Sequence, residues 1–578
     1  MRAAGGTGDP STGQDGTLGE AERSFEACWR IVDELARGGM EHACVSPGSR
    51  STPLALALWR HPGVRIHVHL DERSSAFFAL GLAKATGRPV AIACTSGTAA
   101  AEFLPAVVEA SMARVPLVVL TADRPPELRG VGANQTIDQV DLYGRHVRWA
   151  ADAPVPGEAP EASTWRDLAT RALGSALGLP PGPVHVNLPF REPLVPADAP
   201  ALDVGGVEPY AVPQGTEPEP EHVQALLDEL RSHERGIVLA GSLRTAAPAV
   251  AGLASVLAWP LVAEPTSGLR IPGAVSTGSL LLGDPDFASA HVPEVVLQVG
   301  AAPTSRAGLA LVGEAPRLLI VDPDRLVADP HRRAAKTWSV DAEALADRAA
   351  RALEPRDETK WLRTWRAADA SARRAIDAAM DAWPAPSEAR VARDVAAALP
   401  SGATLVVASS MPVRDLDAVM DARDDLRVLA NRGASGIDGF VSTVLGVSAS
   451  GSPTVALSGD LSLLHDVGSL VWNGRRGHAA VLVVLNNDGG TIFSYLAQRD
   501  LPELETLFTT PHATDLAAVC EAAGAGHALV VHADDLLPAV ERALSVGGVQ
   551  VVEVPLDRER DISRHAELRA AVTGAVRR

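Results

Sequence analysis

Short, unbroken apolar runs recur along this chain, and they restrict its fold more than any other feature. In the N-terminal third they are Ala43–Ser46, Ile66–Leu70, Val90–Thr95, Leu117–Thr121 and Val184–Leu188. Helix-like stretches such as Ser74–Ala85 and Ala99–Ala113 stand between them. A strand with one wet face alternates apolar and polar residues. A strand covered on both faces reads as a continuous Val/Ile/Leu run, and such strands belong to parallel sheets flanked by helices. The alternation predicts βαβ units.

The rhythm returns twice. A second block has strand-like runs at Gly236–Ala240, Leu261–Ala263, Val295–Val299 and Leu318–Val321, then an Ala/Arg/Glu-rich helical stretch from Asp341 to Ala382. A third opens with a helix over Ala389–Ala398 and continues with runs at Thr404–Ala408, Arg427–Ala430, Thr454–Ser458, Ala479–Asn486 and Val549–Val554. At roughly 150 residues per domain, 578 residues fit three or four domains. The expected class is α/β, with three doubly wound parallel-sheet domains. The expected divisions are a disordered tail over 1–22, a first domain over 23–195, a proline-rich linker over 196–220, a middle domain over 221–382 and a third over 383–578. The first and third blocks are expected to be related folds. Met1–Glu22 lacks the apolar segment of a secretory signal.

Composition removes several functions. Asp plus Glu (71) outnumber Lys plus Arg (52), giving a formal net charge of −19 and disfavouring non-specific nucleic-acid binding. A few arginines in one cleft still set the local field. No apolar run approaches the ~18 residues of a membrane span. The cysteines at 28, 44, 94 and 520 form no CxxC pair and read as small buried hydrophobes in a reducing cytoplasm. The expected protein is cytoplasmic, without nucleic acid or membrane span.

The sharpest chemical signal lies in the third block. Thr454-Val-Ala-Leu-Ser-Gly-Asp460 is a strand ending in Gly-Asp, and Val481-Leu-Val-Val-Leu-Asn486-Asn487-Asp488-Gly489-Gly490 is a second strand ending in amides and glycines. A helix-like stretch, Ser462–Leu470, separates them. Ligands of open parallel sheets bind at the carboxyl ends of strands. A carboxylate and an amide oxygen from neighbouring strand ends make a hard-oxygen site suited to Mg²⁺ and substrate phosphates. Either motif alone would be an ordinary turn; together they are specific.

Gly459-Asp460 followed by Asn486-Asn487 resembles the signature of thiamin-diphosphate enzymes, with their pyrimidine-binding, middle and diphosphate-binding domains. The resemblance implies Mg²⁺, with Mn²⁺ as an alternative, on Asp460, Asn487 and the backbone of Gly489. It implies thiamin diphosphate against Thr95, Ser410, Met411, Ile437, Gly459, Leu461, Ser462, Gly490, Thr491 and Ile492. It also requires a glutamate in the first block to bond the aminopyrimidine, a proton relay through the cofactor ring. Glu72 is the candidate, at the end of Ile66-His-Val-His-Leu-Asp71-Glu72-Arg73. Asp71 is the rival, and an acid serving only the helix dipole is the bland reading. His67 and His69 share one face of that run and read as structural.

A longer set of motifs narrows the resemblance. Ser46-Pro-Gly-Ser-Arg-Ser-Thr-Pro53, Thr95-Ser-Gly-Thr-Ala99, Thr121-Ala-Asp-Arg-Pro-Pro-Glu127, Gly132-Ala-Asn-Gln135 and Asn431-Arg-Gly-Ala-Ser-Gly-Ile-Asp-Gly439 occur in this order. Together they are similar to the 2-succinyl-5-enolpyruvyl-6-hydroxy-3-cyclohexene-1-carboxylate synthases of menaquinone biosynthesis. That family decarboxylates 2-oxoglutarate and adds the resulting succinyl-semialdehyde carbanion 1,4 to isochorismate. Both substrates are dicarboxylates, and guanidinium groups bind carboxylates bidentately. By resemblance, Arg414 and Arg432 hold substrate carboxylates near the reacting centre, and Ser49, Arg50 and Arg124 line the isochorismate side. Asn134 and Gln135 form a polar pair at the reacting centre. Ile492, Phe493 and Leu496 wall the pocket, and Ile437 supports the cofactor rings; each of these apolar residues would otherwise be core. Arg306 stands where some family members carry Lys, which changes the hydrogen-bond geometry. The middle block carries nothing that calls for a second cofactor. The resemblance also implies a homo-oligomer with active sites at the dimer interface. An acetolactate-synthase-like carboligase, a simple decarboxylase and a catalytically dead scaffold remain as alternatives.

Overall fold

Three all-parallel sheets carry the chain. The structure, a computed structural model, describes residues 18–158, 163–198, 202, 216–324 and 328–577. The first sheet comprises β1 (His42–Val45), β2 (Arg65–Val68), β3 (Val90–Cys94), β4 (Leu117–Asp123), β5 (Ala150–Asp152) and β6 (Val184–Pro189), in the order β2-β1-β3-β4-β6-β5. The second comprises β7 (Gly236–Ala240), β8 (Leu261–Ala263), β9 (Val295–Val299), β10 (Leu318–Val321) and β11 (Ala334–Trp338), in the order β11-β10-β9-β7-β8. The third comprises β12 (Thr404–Val407), β13 (Arg427–Ala430), β14 (Thr454–Gly459), β15 (Ala480–Asn486), β16 (Gly526–Leu529) and β17 (Val549–Pro555), in the order β13-β12-β14-β15-β17-β16. The first and third sheets therefore share one strand order, so the two blocks do repeat a fold. In each, the order reverses beside the first strand, which opens a crevice at the carboxyl ends.

The described chain divides into two compact units. One is Met1–Pro213 together with Arg432–Ala434; the other is Gln214–Asn431 with Ser435–Arg578 and contains both the second and third sheets. In the first unit, Phe25, Trp29, Ile31 and Leu35 of the helix Glu20–Arg37 pack with Leu173 of Ser163–Leu177 over Val118 and Leu120 of β4. In the second, one core joins Trp365, Ile376 and Met380 of the helix Lys360–Asp381 to Leu568 and Val572 of the C-terminal helix Arg558–Val576.

Several local expectations shift. The first helix begins at Glu20, inside the stretch read as tail; residues 1–17 lie outside the described residues. Of the expected linker, 199–201 and 203–215 also lie outside them, and Pro220 already starts a helix, Pro220–Arg231. The helix expected over Ala99–Ala113 is two, Thr98–Glu102 and Leu104–Ala113, because Pro105 opens a new first turn. The stretch Asp341–Ala382 is two helices, Ala342–Arg351 and Lys360–Asp381, with Pro355 in the gap. Ser462–Leu470 likewise resolves into Asp460–His465 and Val467–Asn473. All four cysteines are buried and free. Among the described residues, no helix is long and apolar enough to cross a membrane.

Candidate functional site

In the first unit the expected residues gather at the carboxyl ends of β1, β3 and β4. Beyond β3, Thr95 and Ser96 are buried and Gly97 turns the chain with φ +89°. Arg124, directly after β4, donates to Ser96 Oγ. Gln135 donates through Nε2 to the Ser96 carbonyl at 2.9 Å, and Ser96 Oγ donates back to the Gln135 carbonyl at 3.1 Å. Arg50, after β1, is buried and donates to the Phe190 carbonyl at 2.9 Å and to Glu192 Oε1 at 3.1 Å. Burial first and the Arg50 charge second weaken proton binding at Arg124, so two guanidiniums share one region of the strand ends. Such a region favours an anion. Ser49 and Asn134 are exposed; among the described residues their side chains bond no other expected site residue.

Beneath this turn lies a buried polar scaffold that the sequence did not announce. Gln139 accepts from Gly97 N at 2.8 Å and donates to Asn187 Oδ1 at 3.0 Å. Asn187 in turn donates to Asp123 Oδ2 at 2.9 Å. Each partner lies on a different strand end or loop, so no short motif contains the network.

The two acids after β2 have different surroundings. Asp71 is the N-cap of the helix Glu72–Thr86, and its side chain accepts from Ser74 N at 3.2 Å. Capping commits Asp71 to the backbone. Glu72 is half-buried at the first helical position. Burial, aided by the Asp71 and Glu102 charges and opposed by its own backbone bond, raises its carboxyl above the usual range. A raised carboxyl beside a ligand crevice is a proton-transfer candidate.

In the second unit the two glycine-ended strands lie side by side: Ser458 of β14 pairs with Val484 of β15, and Gly459 with Leu485. Asp460 is buried; its Oδ1 accepts from Leu461 N at 2.6 Å, and its Oδ2 accepts from Gly489 N at 2.9 Å. Gly489 has φ +134°, and a Cβ there would lie 2.2 Å from the Thr509 carbonyl oxygen, so no other residue fits. Gly490 N donates to that same carbonyl at 2.8 Å. Asn487 is buried, its Nδ2 donates to Glu388 Oε1 at 2.8 Å, and its Oδ1 is buried with no hydrogen-bond partner among the described residues. The hydroxyl of Thr491 is orphaned in the same way. Burial raises the Asp460 carboxyl, against the Gly489, His512 and Leu461 bonds that lower it.

A raised buried carboxylate beside an orphaned amide oxygen fits a hard cation, which would pair both. The Gly489 carbonyl already accepts from Thr491 N at 3.1 Å and keeps a second lone pair. Ser462 is buried in the first turn after Asp460, and Gly459 precedes it. Ser410, after β12, has φ +74°, and buried Met411 starts the helix Met411–Val419. Arg414, one turn on, is exposed and donates to the Ser410 carbonyl at 2.6 Å. Ile437 and Arg432 are half-buried in the segment after β13. Ile492, Phe493 and Leu496 are half-buried in the turns after Gly490, with the Phe493 ring tilted at 52° to that of Phe508, 5.5 Å between centroids. Arg306 is exposed at the start of the helix Arg306–Glu314, beside the second sheet; among the described residues its side chain bonds no other expected site residue.

The sequence reading missed three neighbours of this centre. His512 Nε2 lies 3.2 Å from Asp460 Oδ2, Thr509 supplies the carbonyl that seats both glycines, and Glu388 holds Asn487. His512 follows Thr509-Thr510-Pro511, a turn signal, but only the fold brings it back to Asp460.

Three family models match the chain in order. They are the thiamine pyrophosphate enzyme N-terminal TPP binding domain over residues 29–142, the middle domain of thiamine pyrophosphate over 206–407, and the C-terminal TPP binding domain over 415–554. Among curated relatives, a 2-succinyl-5-enolpyruvyl-6-hydroxy-3-cyclohexene-1-carboxylate synthase of Thermobifida fusca is 45% identical, across 95% of this chain and 98% of its own length. The proteins of that name from Geobacillus kaustophilus and Halobacterium salinarum are 44% and 42% identical, across 93% and 94% of this chain and 95% and 97% of their own. A solved benzoylformate decarboxylase from Polynucleobacter necessarius shares the fold, with a TM-score of 0.72 at 18% identity, covering 93% of this chain and 98% of its own.

Proposed function

Because this chain belongs to the 2-succinyl-5-enolpyruvyl-6-hydroxy-3-cyclohexene-1-carboxylate synthase family of thiamin-diphosphate-dependent enzymes, we propose that its own residues carry that reaction in the following roles. The substrates are 2-oxoglutarate, which loses CO₂, and isochorismate, which receives the remaining four-carbon unit by 1,4-addition. Asp460, the Asn487 amide oxygen and the Gly489 carbonyl hold a divalent cation, Mg²⁺ or Mn²⁺. Ser410, Met411, Gly459, Leu461, Ser462, Gly490, Thr491 and Ile492 line the diphosphate end, and Ile437 supports the rings. The bound cofactor supplies the carbon that stabilises the acyl carbanion equivalent.

Glu72 holds and releases a proton at the aminopyrimidine, a task its raised proton affinity suits. Thr95 contacts the same cofactor. Arg50, Arg124 and Ser49 line the isochorismate side, Arg414 and Arg432 hold substrate carboxylates near the reacting centre, and Arg306 is a further substrate-binding cation. Gln135 and Asn134 orient the keto oxygen. The active site is completed between two copies of the chain, with Glu72 of one serving the cofactor held by Asp460 and Asn487 of the other. The protein acts in the cytoplasm.

The observation that carries this reading is the orphaned, buried Asn487 Oδ1 beside Asp460 and the glycine-only turn. The test supplies thiamin diphosphate, Mg²⁺ and 2-oxoglutarate, with and without isochorismate, and identifies the product by mass. Loss of isochorismate that requires every component is expected. Turnover of pyruvate in its place would overturn the substrate assignment. Light scattering should give a dimer or a multiple of one; a monomer active at high dilution would overturn the shared site.

A further inference from the structure

The carboxamide of Asn487 has two ends of nearly equal size and opposite hydrogen-bonding character. Only the oxygen can ligate a cation. Packing alone does not distinguish the two, so some neighbour must set the flip.

Glu388 is that neighbour. It is the first residue of the helix Glu388–Ala398, and it is 2% exposed. Its Oε1 accepts from Asn487 Nδ2 at 2.8 Å. A carboxyl oxygen in that position pulls the amide nitrogen toward itself and turns Oδ1 away, where it is buried without a protein partner. The reversed amide would set two oxygens against each other and aim N–H groups at the cation.

Glu388 is itself held on several sides. Its backbone N–H donates to both Asp561 carboxylate oxygens, at 3.2 and 3.3 Å. Its Oε2 and Asp415 Oδ2 are both buried and lack hydrogen-bond partners among the described residues. Ligand atoms of Glu388, Asp415 and His565 lie within 4.8 Å of one another. His565 Nε2 donates to Asp415 Oδ1 at 2.6 Å, and its Nδ1 lies 2.9 Å from both the Asp561 carbonyl and the Tyr495 hydroxyl. Tyr495 closes the turn Thr491–Tyr495 that follows Gly490. The chain of contacts thus leaves the Asn487 amide and returns to the same loop. The cluster is not a second metal centre, because both ring nitrogens of His565 are already committed to oxygens.

We propose that Glu388 is the positioning residue of the cation-binding amide: it fixes Asn487 with its oxygen toward the cation, and Asp561 holds the Glu388 backbone. The proposal rests on the assignment of Asn487 as a cation ligand. Outer partners of metal ligands are commonly worth about 10- to 100-fold in metal affinity.

The experiment measures Mg²⁺ affinity by calorimetry at saturating thiamin diphosphate, for the wild type, Glu388→Gln and Glu388→Leu. Melting temperatures of the cofactor-free proteins report folding. Glu388→Leu keeps much of the volume but offers no acceptor, and its Mg²⁺ Kd should rise about 10- to 100-fold. Glu388→Gln presents a carbonyl oxygen to Asn487 and N–H groups to Asp415, and its Kd should stay within about threefold of wild type. Wild-type affinity in a folded Glu388→Leu overturns the proposal. So does a more than tenfold loss in folded Glu388→Gln, a result that stands even if the Leu variant does not fold. A wild type that binds no Mg²⁺ with thiamin diphosphate overturns the ligand assignment itself, which separates the two failures.

Discussion

Gln135 and Ser96 are tied to each other twice: Gln135 Nε2 donates to the Ser96 carbonyl at 2.9 Å, and Ser96 Oγ donates to the Gln135 carbonyl at 3.1 Å. Gln135 holds φ +52°, a backbone conformation uncommon for a residue with a Cβ. The same Ser96 hydroxyl receives Arg124. One buried hydroxyl therefore anchors both the Gln135 backbone and the Arg124 guanidinium. Ser96→Ala removes that hydroxyl and leaves the backbone bond. The KM for isochorismate should rise about three- to tenfold, the value of one hydrogen bond, with a smaller change in kcat. An unchanged KM would show that Arg124 and Gln135 are placed by other contacts.

Glu72 bears on the proton relay alone. It lies in a different unit from Asp460 and Asn487. Glu72→Gln keeps the shape and removes the exchangeable carboxyl proton. Thiamin diphosphate affinity, followed by quenching of tryptophan fluorescence, should stay within about tenfold of wild type. The rate of isochorismate consumption should fall about 10²- to 10⁴-fold, the usual worth of a general acid–base group. Near-normal turnover would remove Glu72 from the relay.

The parallel sheets were legible because their central strands are buried on both faces and must be apolar throughout. Every residue of β3 and β4 is buried, and these strands stand in the sequence as plain runs. The unforeseen strands β5, β11 and β16 are all sheet edges. Their residues are nearly all exposed or half-exposed, as in Ala334-Ala-Lys-Thr-Trp338, so no apolar run marks them. The site divides in the same way. Asp460 and Asn487 sit in motifs that end central strands. Glu388 and His512 lie far from both in sequence and become neighbours only through packing. A sequence shows the residue that ligates more readily than the residue that aims it.

Arg270 shows what holds the second and third sheets in one unit. It is 3% exposed and donates to the carbonyls of Ala263 at 3.0 Å, Ser276 at 3.0 Å, Leu416 at 3.3 Å and Asp417 at 2.8 Å. Its partner carboxylate, Asp417, is buried as well, at 3.5 Å. Arg270→Met would leave these carbonyls unmet and the Asp417 charge unpaired. Breaking one side of a buried ion pair costs about 3–5 kcal/mol, so the melting temperature should drop sharply. Arg351→Met breaks an exposed helical pair with Asp347 and should change stability by under about 1 kcal/mol. Equal effects of the two substitutions would contradict this account.

His565 gives the pH dependence of stability a definite sign. Burial by itself would lower its affinity for a proton. The Asp415 carboxylate, through charge and hydrogen bond, together with the Glu388 and Asp561 charges, outweighs burial and lifts the imidazole to about 10. Arg564 and the Tyr495 hydroxyl also border this cluster. The unfolded value is near 6.5. A folded pKa above the unfolded one means that the native state binds the proton more tightly. The stabilisation is therefore complete below about pH 6.5 and is lost as pH climbs toward 10. Asp561 is raised as well, chiefly by burial, so it contributes with the same sign. His565→Gln removes the cation and leaves Asp415 buried without a counter-charge. At pH 6.5 the variant should be less stable by about 3 kcal/mol or more. The difference in melting temperature between wild type and variant should then shrink steadily from pH 7 to pH 10, because the wild type loses the imidazolium that the variant never had. Groups titrating elsewhere act on both proteins and cancel in that difference. A gap that stays constant across the range would mean that His565 is neutral in the folded protein.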